Sequence, residues 1–179
     1  MRKLFYIFVA FTLAACASGG AKVDSRVQSN ESLKFKKMLI SLNVESRNFT
    51  KSLADGMQNS IVSSLAGCGI EAVVYVKDAL DINPNKTLAD KMRDFQADSM
   101  LSIVRTGGQV LISDGGNNAN FDVMLRLYKL KPTSSEVWTA KSDVSVLTQN
   151  LFVNETKSGE RLGIKFFEVM KRDGVVCRL

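Results

Sequence analysis

Hydrophobic residues in the body of the chain follow two spacings, which predict strands and helices in a mixed order. Lys34 to Val44 predict a first strand, because its end alternates apolar with polar residues from Ile40 to Val44, as in a strand that is covered on one face. Gly67 and Gly69 then end a predicted helix, and the β-branched run Ile70 to Val76 predicts a second strand. The helix buries one stripe, because its apolar residues recur every four positions: Phe49, Leu53, Met57, Ile61 and Leu65.

The second half of the chain follows the same spacings, and short turns separate its strands. The turns at residues 114–118 (DGGNN) and 131–135 join strands that are close enough in sequence to pair as an antiparallel meander. The sequence therefore predicts one α/β (α+β) domain over residues 34–179, a single sheet of about five strands in the order β-α-β-α-β-β-β-α with helices packed on it. Its other elements are a helix from Thr87, a strand at Met100–Arg105 that Gln109–Ser113 continue, strands over 119–130 and 136–147, and a helix from Ser158 to Lys171.

The first residues of the chain have the pattern of a secretory signal. Arg2 and Lys3 make a positive start, and Leu4 to Leu13 form an apolar run of about ten residues. This run is too short to span a membrane, which takes roughly 20 apolar residues. Two small residues, Ala14 and Ala15, then directly precede a cysteine, Cys16.

The phrase Leu-Ala-Ala-Cys resembles the lipobox of bacterial lipoproteins. The resemblance implies that residues 1–15 are a lipoprotein signal peptide and that Cys16 is acylated on sulfur and nitrogen. Two or more acyl chains hold a protein stably on a bilayer. Ala17 follows the cysteine in place of Asp, which by analogy with lipoprotein sorting in Gram-negative bacteria implies an outer-membrane protein that faces the periplasm. The alternatives are an ordinary signal with a chance cysteine, or a buried apolar helix.

An anchor at Cys16 changes the interpretation of the residues around it and of the other two cysteines. Residues 16–33 are rich in Ser, Gly, Asn and charge, so we expect a lipidated cysteine followed by a flexible tether. Cys68 and Cys177 remain as a pair in an oxidising compartment. We expect them to form a disulfide that closes most of the domain, with two separate buried thiols as the alternative.

Three phrases of the mature chain resemble a family of small periplasmic α/β lipoproteins: KKMLISLNV with its helix and the strand IEAVVYV, FQADSMLSIVRTG, and FDVMLRLYKLKPTSSEVWTAKSDV with a last helix ending MKRDGVV. The pattern is similar to the domain of the curli-secretion lipoprotein and of the lipoprotein activators of penicillin-binding proteins. That domain resembles the N-terminal domain of the Tol translocation protein. The turn Lys131–Ser135 departs from the family's usual Asp-Thr-Gly. The resemblance implies a binding or assembly role and supplies no catalytic residues.

The residue types present exclude several kinds of chemistry. The chain has no histidine, which excludes Ser-His and Cys-His nucleophile pairs and the commonest metal ligand. Asp81, Asn83 and Asn85 are spaced like the start of a calcium loop. However, Lys86 and Met92 stand where such a loop needs Gly and a bidentate Glu. We expect neither a metal nor another cofactor.

Charge and aromatic residues bear on the partners. The chain carries 24 basic and 18 acidic residues, a formal charge of +6, and loss of Arg2 and Lys3 with the signal leaves 22 against 18, or +4. This mild charge, without a basic stripe interleaved with aromatics, argues against nucleic acid as a partner.

Trp138 and Tyr128 face each other across the predicted hairpin. They are either an exposed anchor for a partner or an aromatic pair packed under a helix, and we favour the packed pair.

The sequence thus predicts a non-catalytic lipoprotein that is attached to the bilayer through Cys16 and assists other envelope proteins. Self-association into a homo-oligomer is left open. A carrier or sensor that holds a small or lipidic ligand between sheet and helices is one alternative. A hydrolase that uses carboxylates alone is another, but no spacing brings two acids together among Asp78, Asp81, Asp90, Asp94 and Asp98.

Overall fold

A computed structural model of the chain describes residues 21–28, 33–44, 50–77, 80–113, 116–147 and 155–177. Within these ranges nine elements follow one another along the chain. They are β1 (Lys22–Val27), β2 (Lys37–Asn43), α1 (Lys51–Ala66), β3 (Glu71–Val76), α2 (Pro84–Phe95), β4 (Ser99–Ser113), β5 (Gly116–Lys129), β6 (Ser135–Leu147) and α3 (Glu155–Arg172).

The six strands form one sheet in the order β1-β6-β5-β4-β2-β3. β2 pairs in parallel with β3 and β4, because α1 and α2 carry the chain back across the sheet before each next strand. β4, β5, β6 and β1 pair antiparallel, and a bulge between Arg105 and Gly107 joins the two halves of β4 into one strand. The α/β class and the order of elements from β2 to α3 are confirmed, and the sixth strand is β1.

The prediction of a flexible tether over residues 16–33 is wrong for β1. Residues 22–27 pair along the outer edge of β6, and Val23 packs against the main core. Leu33 is buried too, so the folded domain includes residues ahead of position 34. The sequence has no alternating pattern here because only Val23 and Val27 are large and apolar, and the strand depends on its pairing with β6.

Helix α2 also begins earlier than the sequence predicts. It starts at Pro84 rather than Thr87, and the side chain of Asn83 accepts a hydrogen bond of 3.2 Å from the backbone N–H of Lys86. Proline is tolerated in a first helical turn, because its missing N–H would have no partner there. The residues spaced like a calcium loop are therefore the cap and first turn of a helix.

Glycine allows α1 and α3 to touch along their backbones on one face of the sheet. A Cβ atom added at Gly56 would lie 2.1 Å from the carbonyl oxygen of Thr156, and one at Gly159 would lie 2.1 Å from that of Leu53. One at Gly163 would lie 2.4 Å from the carbonyl oxygen of Met57. Such distances leave no room for any side chain. We call this the glycine contact.

Two cores result, one on each face of the sheet. The main core lies between the sheet and the pair α1 and α3, and its largest fully buried side chains are Trp138, Phe121 and Phe166. The smaller core lies under α2. A disulfide joins Cys68, just after α1, to Cys177, with the Cα atoms 5.2 Å apart and a sequence separation of 109. By loop entropy such a crosslink contributes about 5 kcal/mol.

We expect Gly159→Ala to destabilise the domain by about 1–3 kcal/mol, because a methyl group there meets the backbone of α1. Without the contact the substitution would stabilise the protein, because alanine favours a helix by about 1 kcal/mol over glycine. A decrease in the free energy of unfolding is therefore evidence for the contact. The free energy of unfolding in urea measures the change.

Glu160→Ala is the matched control, because Glu160 is the exposed neighbour on α3. It should change the free energy of unfolding by less than about 0.5 kcal/mol. A Gly159→Ala protein as stable as the native one would contradict backbone contact between the helices.

Candidate functional site

Helix α2 covers only part of the second face of the sheet. It packs over β2 and β3, on Leu39 and Tyr75. In the part of the chain that the structure describes, no helix packs over the same face of β5, β6 and β1. We call this surface the open face. It carries, from β4 to β1, Ser102, Val104, Thr106, Met124, Arg126, Thr139, Lys141, Asp24 and Arg26.

A shallow groove lies in the open face between β4 and β5. Its volume is about 100 Å³, and five side chains line it: Ser102, Val104, Thr106, Met124 and Arg126. The register places Val104 opposite Met124 and Ser102 opposite Arg126. Val104 and Met124 are half-buried, so the centre of the groove is apolar and its ends are polar. Pockets for small molecules usually measure about 300–1,000 Å³, and this groove is well below that size.

Two ion pairs involve charged residues of the open face. Arg126 Nε lies 3.8 Å from Glu136 Oε2, and Lys22 Nζ lies 3.6 Å from Asp24 Oδ2. These pairs are largely exposed and contribute little to stability. A surface with an apolar centre and a mixed polar surround has the composition of a protein interface.

Trp138 and Tyr128 do not form the cross-strand pair that the sequence predicts. Leu127 lies opposite Trp138, and an extra residue in β6, Val137, then shifts the register so that Tyr128 lies opposite Glu136. The two aromatic residues consequently lie on opposite faces of the sheet. Trp138 is fully buried in the main core, as the packing interpretation expects, and is no exposed anchor. Tyr128 is half-buried beside the open face.

The indole of Trp138 is held by a carboxylate at the end of α3. Trp138 Nε1 donates a hydrogen bond of 2.8 Å to Asp173 Oδ2, and Arg172 Nε donates one of 2.9 Å to the other carboxylate oxygen. Arg172 Nη2 also donates to Ser25 Oγ of β1 at 2.8 Å. The site ties α3 to β6 and β1, and its role is structural.

The pKa of Asp173 reflects these contacts. Burial by itself raises the pKa of this carboxyl. Hydrogen bonds from Ser25 and Trp138, together with the charge of Arg172, outweigh burial and hold the pKa below its ordinary value of 3.8. The side chain is 12% exposed, so these bonds are sheltered from water.

The loop between β3 and α2 combines an inward-facing carboxylate with outward-facing aliphatic residues. Asp81 Oδ1 accepts a hydrogen bond of 2.8 Å from the backbone N–H of Asn83. A hydrogen bond from Thr87, then that from Asn83, lowers the pKa of Asp81 below its ordinary value, against a smaller opposing effect of desolvation. On either side of this residue, Leu80 is 88% exposed and Ile82 is fully exposed.

The acidic residues considered for a hydrolase are not brought together. Asp98 accepts hydrogen bonds from the backbone N–H groups of Lys36 and Lys37, at 2.8 and 3.2 Å, and so fastens the start of β2 to β4. Asp81 lies at the other end of α2, a helix about 18 Å long. Arg93 pairs with Asp90 and Asp94 on the surface of α2, and Asp78 lies outside the described residues. Among those residues, no three His, Cys, Asp or Glu side chains cluster as metal ligands.

The predicted anchor, Cys16, lies outside the residues that the structure describes, as do the signal peptide and residues 29–32. Cys68 and Cys177 are the two cysteines that the sequence pairs, and the structure joins them. None of the described helices has the length and apolar character needed to cross a membrane.

Comparison with known proteins gives a fold but no family. No protein-family model matches the chain, and no curated protein matches it in sequence. The resemblance to the curli-secretion and penicillin-binding-protein activator lipoproteins therefore stays a prediction.

Among solved structures, the chain is similar to the PelC dodecamer of Paraburkholderia phytofirmans. The identity is 12%, the match covers 80% of this chain and 95% of PelC, and the TM-score is 0.50. A variant of the same PelC gives 14% identity and the same TM-score. Lipoprotein GNA1162 from Neisseria meningitidis is 17% identical over 77% of this chain and 97% of its own, with a TM-score of 0.49. The chain thus shares the fold of PelC.

Sequence reasoning missed both surface features of the domain. The open face depends on where α2 packs, which no local pattern reveals. The exposed residues Leu80 and Ile82 lie in a segment whose composition predicts a polar loop. Their exposure could have been suspected, because they are two large aliphatic residues beside a helix cap and belong to no periodic pattern.

We expect Asp173→Asn to lower the free energy of unfolding at about pH 7 by roughly 1–3 kcal/mol, because the bonds from Trp138 and Arg172 lose a charged acceptor. The folded-state pKa of Asp173 lies below the unfolded value. Its contribution is therefore complete above pH 3.8 and is lost as the pH falls through the folded-state pKa.

Urea unfolding near neutral pH and below the ordinary carboxyl pKa measures this difference, which should shrink in acid. Asp143→Asn, on an exposed residue of β6, is the control. A difference that is the same at both pH values would show that the charge of Asp173 does not stabilise the fold.

Proposed function

We propose that the protein is a non-catalytic bacterial envelope lipoprotein, attached to a membrane through acylated Cys16, that acts by binding other envelope proteins. The observation that carries the proposal is the open face, which presents half-buried Val104 and Met124 within a polar surround. Interfaces between proteins commonly have an apolar centre and a polar rim. The lipobox-like phrase before Cys16 supports the attachment.

The anchor and the first strand together limit where such a partner can be. Cys16 lies six residues before Lys22, the first residue of β1. Six extended residues reach about 20 Å at most. The domain is then held close to the lipid headgroups, and its partner is a protein at the same membrane surface. Ala17 after the acylated cysteine supports the outer membrane and a periplasmic orientation, by analogy with lipoprotein sorting.

Copies of the same chain are a second candidate partner. The support is the shared fold with PelC, which forms a dodecamer. Cyclic homo-oligomers use two different patches of each subunit, one for each neighbour. The open face supplies one such patch. The groove in the open face is too small to support the alternative of a ligand carrier. The separation of Asp81 from Asp98 by the length of α2 gives no support to a carboxylate hydrolase.

We expect Cys16→Ser to release the protein from the membrane fraction of its native host, because the acceptor sulfur is lost. Ala17→Asp keeps the acylation site and should remain in the membrane fraction, but move from the outer to the inner membrane. Fractionation with immunoblotting measures both, and mass spectrometry of the N-terminal peptide detects the acyl chains. An uncleaved, unmodified N-terminus in the native protein would refute the anchor.

We expect Met124→Glu to reduce crosslinking to the partner several-fold in intact cells, because a carboxylate then occupies the apolar centre of the open face. Ile164→Glu is the matched control, since Ile164 is an exposed aliphatic residue on α3, away from the open face. Light scattering of the detergent-solubilised protein distinguishes self-association from binding of another protein. Equal crosslinking of both variants would refute the open face as the binding surface.

A further inference from the structure

We infer that the outer edge of β3 is a docking site for the β3 strand of a second copy of this chain. The two strands pair antiparallel about a two-fold axis at Val74 and join the two sheets into one. The inference deepens the second candidate of the proposed function, self-association, and rests on the proposed anchor, which holds both copies on one membrane. The surface it uses is distinct from the open face.

The outer edge of β3 presents backbone hydrogen-bonding groups. β3 is the last strand of the sheet, and among the described residues no strand pairs on its outer side. The N–H groups of Glu71 and Lys77 point towards β2, where they donate to the carbonyl oxygens of Lys36 and Leu42 at 2.9 and 3.2 Å. Successive residues of a strand direct their backbone groups to opposite sides. Three residues therefore direct theirs outward: Ala72, Val74 and Val76.

The two outer strands of the sheet differ in their protection against pairing. In β1 every second residue is charged and exposed, namely Lys22, Asp24 and Arg26. Charged side chains of this kind discourage the addition of another strand. β3 has no charge between Glu71 and Lys77, contains no proline, and keeps an unbroken register with β2. The β3 edge is therefore the one on which another strand can be added.

The sequence of this edge is complementary to itself, which selects a second copy as the occupant. When Val74 lies opposite Val74 of the other copy, Glu71 of each copy lies opposite Lys77 of the other. Both of these charged residues are exposed, and opposite charges that face each other across two strands stabilise the pairing. Ala72 lies opposite Val76 in the same register, and each outward-facing pair exchanges two hydrogen bonds.

The pairing also covers apolar side chains at the rim of the main core. Ala72 and Val74 are half-buried and pack against the main core, and Val76 on the same face is 39% exposed. Residues that lie opposite each other on paired strands share a face of the sheet. Val76 of one copy consequently packs beside Ala72 of the other and loses contact with water, which is favourable.

The symmetry of the pair determines how it lies on a membrane. The two-fold axis is perpendicular to the joined sheet and reverses the direction of its strands, so that Lys22 of the two copies lies at opposite corners. The six residues from Cys16 to Lys22 reach about 20 Å at most. Both anchors therefore enter one bilayer when the joined sheet lies parallel to its surface.

Reversal of the charges tests the register of the pair. Sedimentation equilibrium of the full-length acylated protein in excess detergent measures the dissociation constant of the dimer. We expect Glu71→Lys alone and Lys77→Glu alone each to raise it about tenfold, because like charges then face each other at both ends. The double variant restores opposite charges and should return the constant to within about twofold of the native one. Such rescue requires two copies, since the residues stand at opposite ends of β3 within one copy.

Val74→Pro tests the backbone bonds. The N–H of Val74 points away from β2, so proline removes no bond of the sheet, but it removes the central bonds between the copies. Val74→Ala is the matched control, because it shortens the side chain and keeps the N–H. We expect Val74→Pro to raise the dissociation constant several-fold more than Val74→Ala. Circular dichroism checks that both variants fold, and the charge variants, at exposed positions, decide alone if Val74→Pro does not.

A native protein that is monomeric at every concentration would overturn the inference, as would a double charge variant that associates no more tightly than the single ones. Equal dissociation constants of folded Val74→Pro and Val74→Ala would overturn it as well. The proposed function fails separately, because crosslinking of Met124→Glu tests the open face and fractionation of Cys16→Ser tests the anchor.

Discussion

The fold depends on the glycine contact between α1 and α3. Because Gly56 and Gly159 bring the two backbones together, the helices form one layer that covers a single face of all six strands. α1 reaches β3 on one side and α3 reaches β1 on the other. The main core lies beneath this layer. Only α2 remains for the second face, where it covers β2 and β3, and the open face is the consequence.

The residues at the end of α3 extend this arrangement to the β1 edge of the sheet. Asp173 binds the buried indole of Trp138 in β6, and Arg172 binds Ser25 in β1. The disulfide then joins the end of the chain to the end of α1 at Cys68. β1 is therefore held by side chains as well as by its pairing with β6. A strand with almost no apolar signal is thus an integral part of the sheet.

Local sequence patterns predicted the strands and helices that have periodic apolar residues of their own. They failed for features that depend on contacts between residues distant in sequence. The strands from β2 to β6 and all three helices carry periodic apolar positions, so the α/β class followed from the sequence. β1 exists through its pairing with β6. Trp138 and Tyr128 are separated because the register of β5 against β6 places Leu127 opposite Trp138. Gly159 reads in sequence as a weak helix position, yet it is essential to the contact with α1.

The candidate site likewise combines features that a local sequence pattern predicts with features that only tertiary packing creates. The anchor at Cys16 could be predicted because a lipobox is a short linear phrase, and the disulfide because two cysteines remained to be paired. The open face and the exposed loop arise from tertiary packing. Among the described helices none covers the second face of β5, β6 and β1, and Ile82 is fully exposed beside the hydrogen-bonded Asp81. An anchored domain has its orientation limited by its tether, so a surface residue gains meaning from its distance to the anchor. β1 begins six residues after Cys16, so the proposed anchor would hold both surfaces close to a membrane.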